Sequence, residues 1–146
     1  MSYPWFWDYT RAKTTERTLL GKYKILKIRL EDDLAAPIRR IDSFVTLNPD
    51  RMATLANFPY FDESGDRVDC NLSGIVRWSL DKDLEVGSGW QLRFENYRSA
   101  SPTPQCGPGN ATWPIRLLGQ KAPYRLYLTV GDPDSDRRIE FERVSR

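Results

Sequence analysis

Asp132, Asp134 and Asp136, in the run DPDSD, have the alternating carboxylates found in the first half of a calcium loop. The run lacks the glycine at the sixth position and the bidentate glutamate at the twelfth that would complete one. It is read instead as a turn whose aspartates accept bonds from nearby backbone N–H groups. Cys70 and Cys106 are far from any CxxC spacing, which argues against zinc and leaves two thiols or one disulfide open. The chain has no histidine, so the commonest general base and the commonest metal ligand are both missing. Neither cysteine has an evident activator beside it, and the carboxylates concentrate in loops without a distinguishable pair. The expectation is a protein that is not an enzyme and needs no cofactor or metal.

What is left is the chemistry of recognition. Trp78, Trp90, Leu92, Phe94, Ile115, Leu126 and Leu128 fall at alternating positions that can share one face. If they point inward, Trp78, Trp90, Phe94 and Trp113 are the candidates to contact an apolar ligand, with Tyr124 or Tyr127 as a polar handle. Arg77, Arg93, Arg116 and Arg125 then point outward from four consecutive strands. Such a row can meet phosphates, but Glu95 and Glu140 interrupt it, and the net charge of the chain is only +2. A solvated, cross-paired face is expected, and no nucleic-acid partner.

The elements that must carry these residues are strands. Strand-forming stretches fall at 19–30, 38–47, 52–58, 68–80, 89–97, 113–118, 123–130 and 139–144, and none after residue 18 has a strong helical period. Between them lie the loop EDDLAAP (31–37), the turn 48–51, the loop 59–67, the connection 81–88, the irregular stretch 99–112, the turn 119–122 and the loop 131–137. In the first strand Tyr23 and Ile25 share one face, then Leu26, Ile28 and Leu30 the other, a phase change that predicts a β-bulge. Eight antiparallel strands without a long crossover predict an all-β, up-and-down barrel, with a two-sheet sandwich as the competitor.

Several stretches resemble a known group: Gly21-Lys22-Tyr23, the hairpin TLNPDRMATL, the hairpin SGIVRWSL…GWQLRF and the ending APYRLYLTVGDPDSDRRIEFERV. Together they look like the lipocalin-like small barrels of uncharacterised bacterial proteins, over most of residues 19–144. Tyr23 stands where the usual lipocalin motif has tryptophan. The resemblance implies a barrel with a cavity that often holds an apolar ligand, and it implies no catalytic residue.

In such a meander the loops 31–37, 59–67, 98–112 and 131–137 share one end, the mouth. The tight turns share the other, the base. The mouth gathers Glu31, Asp32, Asp33, Asp62, Glu63 and Asp66 beside the DPDSD run. Two partners are therefore expected as alternatives: a small apolar or amphipathic ligand at that end, or a protein docking on its acidic rim. Pairing of 68–80 with 89–97 sets Cys70 opposite residue 98 or 99, beside the loop that carries Cys106. A disulfide there is feasible and would need an oxidising compartment.

Residues 1–18 differ in character. Trp5, Phe6, Trp7 and Tyr9 form an aromatic cluster, and Asp8 or Thr10 can cap a short helix over 11–17. This segment is expected to plug the base of a barrel domain spanning 19–146, with an exposed anchor for a partner or a membrane surface as the alternative. At 146 residues, 12% aromatic and 29% charged, the chain has the makings of one packed domain. No run approaches the ~20 apolar residues of a membrane span, and no signal-peptide pattern is present. The expectation is a monomer, cytoplasmic by default and extracytoplasmic if a leader has been removed.

Overall fold

The computed structural model describes residues 15–62, 64–66, 68–82, 90–101, 106–108, 111–119, 122–131 and 136–145. The elements run α1 (Glu16–Leu19), β1 (Gly21–Arg29), α2 (Asp32–Arg39), β2 (Phe44–Leu47), β3 (Met52–Phe61), β4 (Val68–Lys82), β5 (Trp90–Ser99), β6 (Trp113–Leu118), β7 (Arg125–Thr129) and β8 (Arg138–Ser145). Each strand pairs antiparallel with the next, and β8 returns to β1, so the sheet closes into an eight-stranded up-and-down barrel. The barrel expected from the alternation is the fold observed, and the sandwich is not.

Among the described residues the ladders shift register at five points, and the shifts in β1, β3 and β5 each insert an extra residue that switches the side chains facing the interior. In β1 the extra residue is Leu26, because Ile25 faces Phe141 while Lys27 faces Glu140. In β3, Ala56 and Asn57 occupy the gap between the pairs Leu55–Gly74 and Phe58–Leu72. In β5, Asn96 and Tyr97 lie between Glu95, paired with Arg77, and Arg98, paired with Ile75. Asn57 and Asn96 have φ of 51° and 56°, the left-handed region that asparagine tolerates better than most side chains. The predicted bulge in the first strand is present. Nothing in the local sequence marks those at Asn57 and Asn96.

Two expectations need correction. The stretch read as a loop at 31–37 is the start of α2, and the strand expected from 38 begins only at Phe44. Asp32 and Asp33 sit in the first turn of α2, where the helix dipole favours them. Leu34, Ala35 and Ile38 are buried along one face of the helix. Pro37 lies inside this short helix and made the segment read as a break. The third strand also continues past 58 to Phe61, because the irregularity at Asn57 is a bulge within the strand. The expected helix over 11–17 and the aromatic cluster lie outside the described residues, apart from positions 15–17.

The interior is packed from the base to past its middle. Trp78, Tyr23, Phe58, Phe94 and Phe141 are all less than 2% exposed, among many leucines. Phe58 stacks on Phe141 with centroids 5.5 Å apart and tilts against Phe94 at 6.4 Å. At the base, Leu19 of α1 is fully buried, and the Tyr23 hydroxyl donates to its carbonyl at 2.6 Å. The Arg143 Nη1 donates to the Thr18 carbonyl at 2.8 Å, tying β8 to the same segment. The Trp78 Nε1 donates to the Asn48 carbonyl at 3.3 Å, joining β4 to the turn between β2 and β3.

Burial pushes the Tyr23 phenol up to about 12, against a smaller lowering by Arg143. The folded state therefore holds this proton more tightly than the unfolded chain, whose phenol titrates near 10. The contribution is complete below about pH 10 and is lost as pH rises toward 12. Tyr23→Phe should cost about 1 kcal/mol at neutral pH through the lost hydrogen bond. Urea denaturation at several pH values should show the variant's deficit shrinking between pH 10 and 12.

Candidate functional site

β6 and β7 are laddered only from Arg116, Leu117 and Leu118 to Tyr127, Leu126 and Arg125. Continuing that register would set Ile115 against Leu128 and Pro114 against Thr129, but the ladder stops short of both, and the strands part toward the mouth. Pro114 has no N–H to offer such a ladder. The parted ends border a cavity of about 290 Å³. Inward-facing Phe58, Tyr60, Trp113 and Leu128 line it, and so do Pro114, Arg116 and Thr129 from the outer face of the same strands. The lining thus takes in both faces of the wall where β6 and β7 part, together with Asp62 and Gly131 at the mouth.

The roof is built by the mouth loops. Gly65 (φ 73°) and Gly131 (φ 74°) meet backbone to backbone across the mouth. A Cβ on Gly65 would lie 2.8 Å from the Gly131 Cα, so only glycine permits the approach. The Arg137 Nη2 donates to the Gly65 carbonyl at 2.6 Å, and its Nε donates to the Glu31 carboxylate at 3.2 Å. A hydrogen bond from its own backbone N–H, followed by Arg137, holds the Glu31 carboxyl below its ordinary range. Asp62, beside the roof, accepts from the Ser64 hydroxyl and the Asp66 N–H, both at 3.0 Å, which fixes the β3–β4 turn.

Cys70 and Cys106 form a disulfide, with Cα atoms 6.1 Å apart. Of the two alternatives left by the sequence, this is the one realised. Cys70 lies opposite Tyr60 in the β3–β4 ladder, so the bond anchors the loop after β5 beside the cavity wall. Gly107 follows, packed against the Tyr97 ring and Leu72.

The five candidate ligand contacts are spread along the barrel. Trp113 lines the cavity, edge-on to Phe94 at 5.6 Å and to Tyr60 at 6.3 Å. Its indole N–H is buried and has no acceptor among the described residues. Phe94 supports Trp113 from the core. Trp78 fills the core toward the base, Trp90 packs on it at the base end of β5, and Tyr124 is buried after the β6–β7 turn. None of these three lines the cavity. Tyr127, the other suggested handle, faces the outer wall, with the Arg138 guanidinium 5.6 Å from its ring centre. Tyr60, Phe61 and Leu128, with Phe58, carry most of the apolar lining. The sequence does not mark Tyr60 and Phe61 as lining, because 59–67 reads as a polar loop.

The outward arginines are cross-paired. Arg93 meets Asp81 at 2.9 Å, Arg125 meets Glu140 at 2.9 Å, and Arg77 lies 3.9 Å from Glu95. Of the DPDSD run only Asp136 falls within the described residues, and it pairs with Arg29 at 2.9 Å and with Arg138. No three potential metal-ligating side chains gather among the described residues. No helix there is long and apolar enough to cross a membrane.

The disulfide closes a loop across 36 positions and should stabilise by about 3–4 kcal/mol in the chain-entropy account. Urea denaturation of a Cys70→Ser/Cys106→Ser variant measures this, and alkylation without reductant should leave the parent's mass unchanged. Gly65→Ala should cost about 2 kcal/mol through strain at the roof, read in the same way.

Compared with family models, curated proteins and solved structures, the chain finds no match.

Proposed function

We propose that the protein binds a small amphipathic molecule at the mouth end, as the lipocalin-like barrels it resembles often do. Its apolar body would rest on Phe58, Trp113 and Leu128, where β6 and β7 part. The observation that carries this reading is the cavity, with its aromatic lining and the buried Trp113 N–H on its wall. A buried donor without an acceptor is costly to keep, and a ligand oxygen would satisfy it. At about 290 Å³ the space lies at the small end of ligand sites and suits a bicyclic aromatic or a short acyl chain.

The reading is one of binding rather than chemistry. Tyr60, Asp62 and Arg116 are the titratable residues of the lining, and the Asp62 carboxylate is engaged in its own turn. The disulfide beside the site suits a protein that works where thiols are oxidised.

Titration with a naphthalene-sulfonate probe, followed by its fluorescence, tests the proposal. Saturable, displaceable binding is expected. Leu128→Trp should weaken it about tenfold or more by occupying the cavity, whereas Trp90→Phe at the base should leave it unchanged. Absence of saturable binding, or binding indifferent to Leu128→Trp, would refute the reading.

A further inference from the structure

The barrel wall has a second parting, between β1 and β2. Their ladder ends at Lys24 and Phe44, whereas β1 continues beside β8 as far as Arg29. Ile25–Arg29 therefore have a ladder partner on one side only. The cause lies on the other side of β2, at the bulge in β3. Asn57 donates from Nδ2 to the Asp42 carbonyl at 3.1 Å, and the Ser43 hydroxyl donates to the Asn57 carbonyl at 2.8 Å. These bonds hold the chain entering β2 against β3, away from β1.

The result is a groove of about 570 Å³ beside an open strand edge. Two of the three exposed large apolar side chains among the described residues, Leu26 (45%) and Val144 (48%), line it. Exposed apolar side chains grouped beside unpaired backbone are the usual marks of an interaction surface. The groove also carries Lys24, Lys27 and Arg39 against Asp42 and Glu142, an excess of positive charge.

That charge selects the occupant. A second copy pairing edge to edge about a two-fold axis would bring Lys24 and Lys27 against the same lysines of its mate, which is unfavourable. An extended segment with acidic side chains on one face and apolar ones on the other sets its acids beside outward Lys24 and Lys27 and its apolar side chains on the side of inward Ile25 and Ile28. We propose that such an acidic–apolar peptide segment adds as a strand to the Ile25–Arg29 edge of β1, a binding mode in which backbone bonds supply affinity and side chains supply specificity. This surface is separate from the β6–β7 cavity and does not depend on what that cavity holds.

The test uses the full chain and a fluorescein-labelled, end-capped peptide of alternating glutamate and valine, seven residues long. Fluorescence anisotropy at low salt should show saturable binding that weakens as salt is added. N-methylation of alternate peptide amides should weaken it about tenfold or more, because it removes the donors of an added strand. Lys24→Gln/Lys27→Gln should weaken it about fivefold. Backbone amides within 25–29 should exchange more slowly in the complex. Leu128→Trp should leave the peptide affinity unchanged. No saturable binding up to millimolar peptide would overturn the proposal, as would equal binding of the N-methylated peptide. Sedimentation showing a dimer that the peptide does not dissociate would assign the edge to a second copy, and overturn it likewise.

Discussion

One residue too many in β3 decides how this barrel is closed and where it is left open. Asn57, held at positive φ, takes a bond from its own N–H to the Ser73 hydroxyl at 3.0 Å while gripping Asp42 and Ser43 on its other side. The shift in phase turns Phe58 inward, where it stacks on Phe141 and carries the aromatic core toward the mouth. The same grip keeps the chain entering β2 beside β3, before the first residue that pairs with β1. Helix α2 then lies before β2, with Leu34, Ala35 and Ile38 buried. Without the extra residue the interior positions beyond it would face solvent, since a one-residue slip exchanges the two faces of a strand.

Stability and adaptability are thus placed at opposite ends. The base has a dense apolar interior, the Tyr23 and Trp78 hydrogen bonds, and a helical turn seated on it. The mouth has partly parted strands, closed by a glycine contact, a disulfide and ion pairs. Most of those pairs are exposed and contribute little individually. Glu140 differs, being 2% exposed and accepting from both Arg125 and Arg138 at 2.9 Å. Removing either arginine would leave a buried carboxylate less compensated, which is far costlier than losing a surface pair. The β7–β8 wall is therefore fixed up to the edge of the gap that β7 shares with β6.

Much of this architecture was legible in the residues. The alternations Trp78–Leu80, Leu92–Phe94 and Leu126–Leu128 give the strands and their inner face, and the phase slip around Leu26 gives a bulge. The sequence was silent where an irregularity arises from long-range bonding. Asn57 reads as an ordinary residue near a strand end until Asp42 and Ser43 meet it. Pro37 reads as a break until burial of Ile38 makes the helix worthwhile. For the site, tryptophans marked apolar surface correctly but without depth along the barrel axis, so Trp78 and Trp113 look alike in the sequence. Both stand opposite Phe94, across one ladder and then the other, and only the folded barrel shows that of the two Trp113 lines the cavity.

The seam between β1 and β8 has a bearing on the order in which the molecule comes into being. The bond from Arg143 to the Thr18 carbonyl joins positions 125 apart in the chain. Until the final strand leaves the ribosome, β1 has neither its β8 partner nor a closed interior beside it. A nascent chain therefore carries its first strand with the β8-facing edge open through nearly the whole of synthesis, the condition in which strands pair with strangers. Lys22, Lys24 and Lys27 stand along that strand. Their mutual repulsion would protect neighbouring nascent chains from one another during that interval, a service rendered before the fold exists.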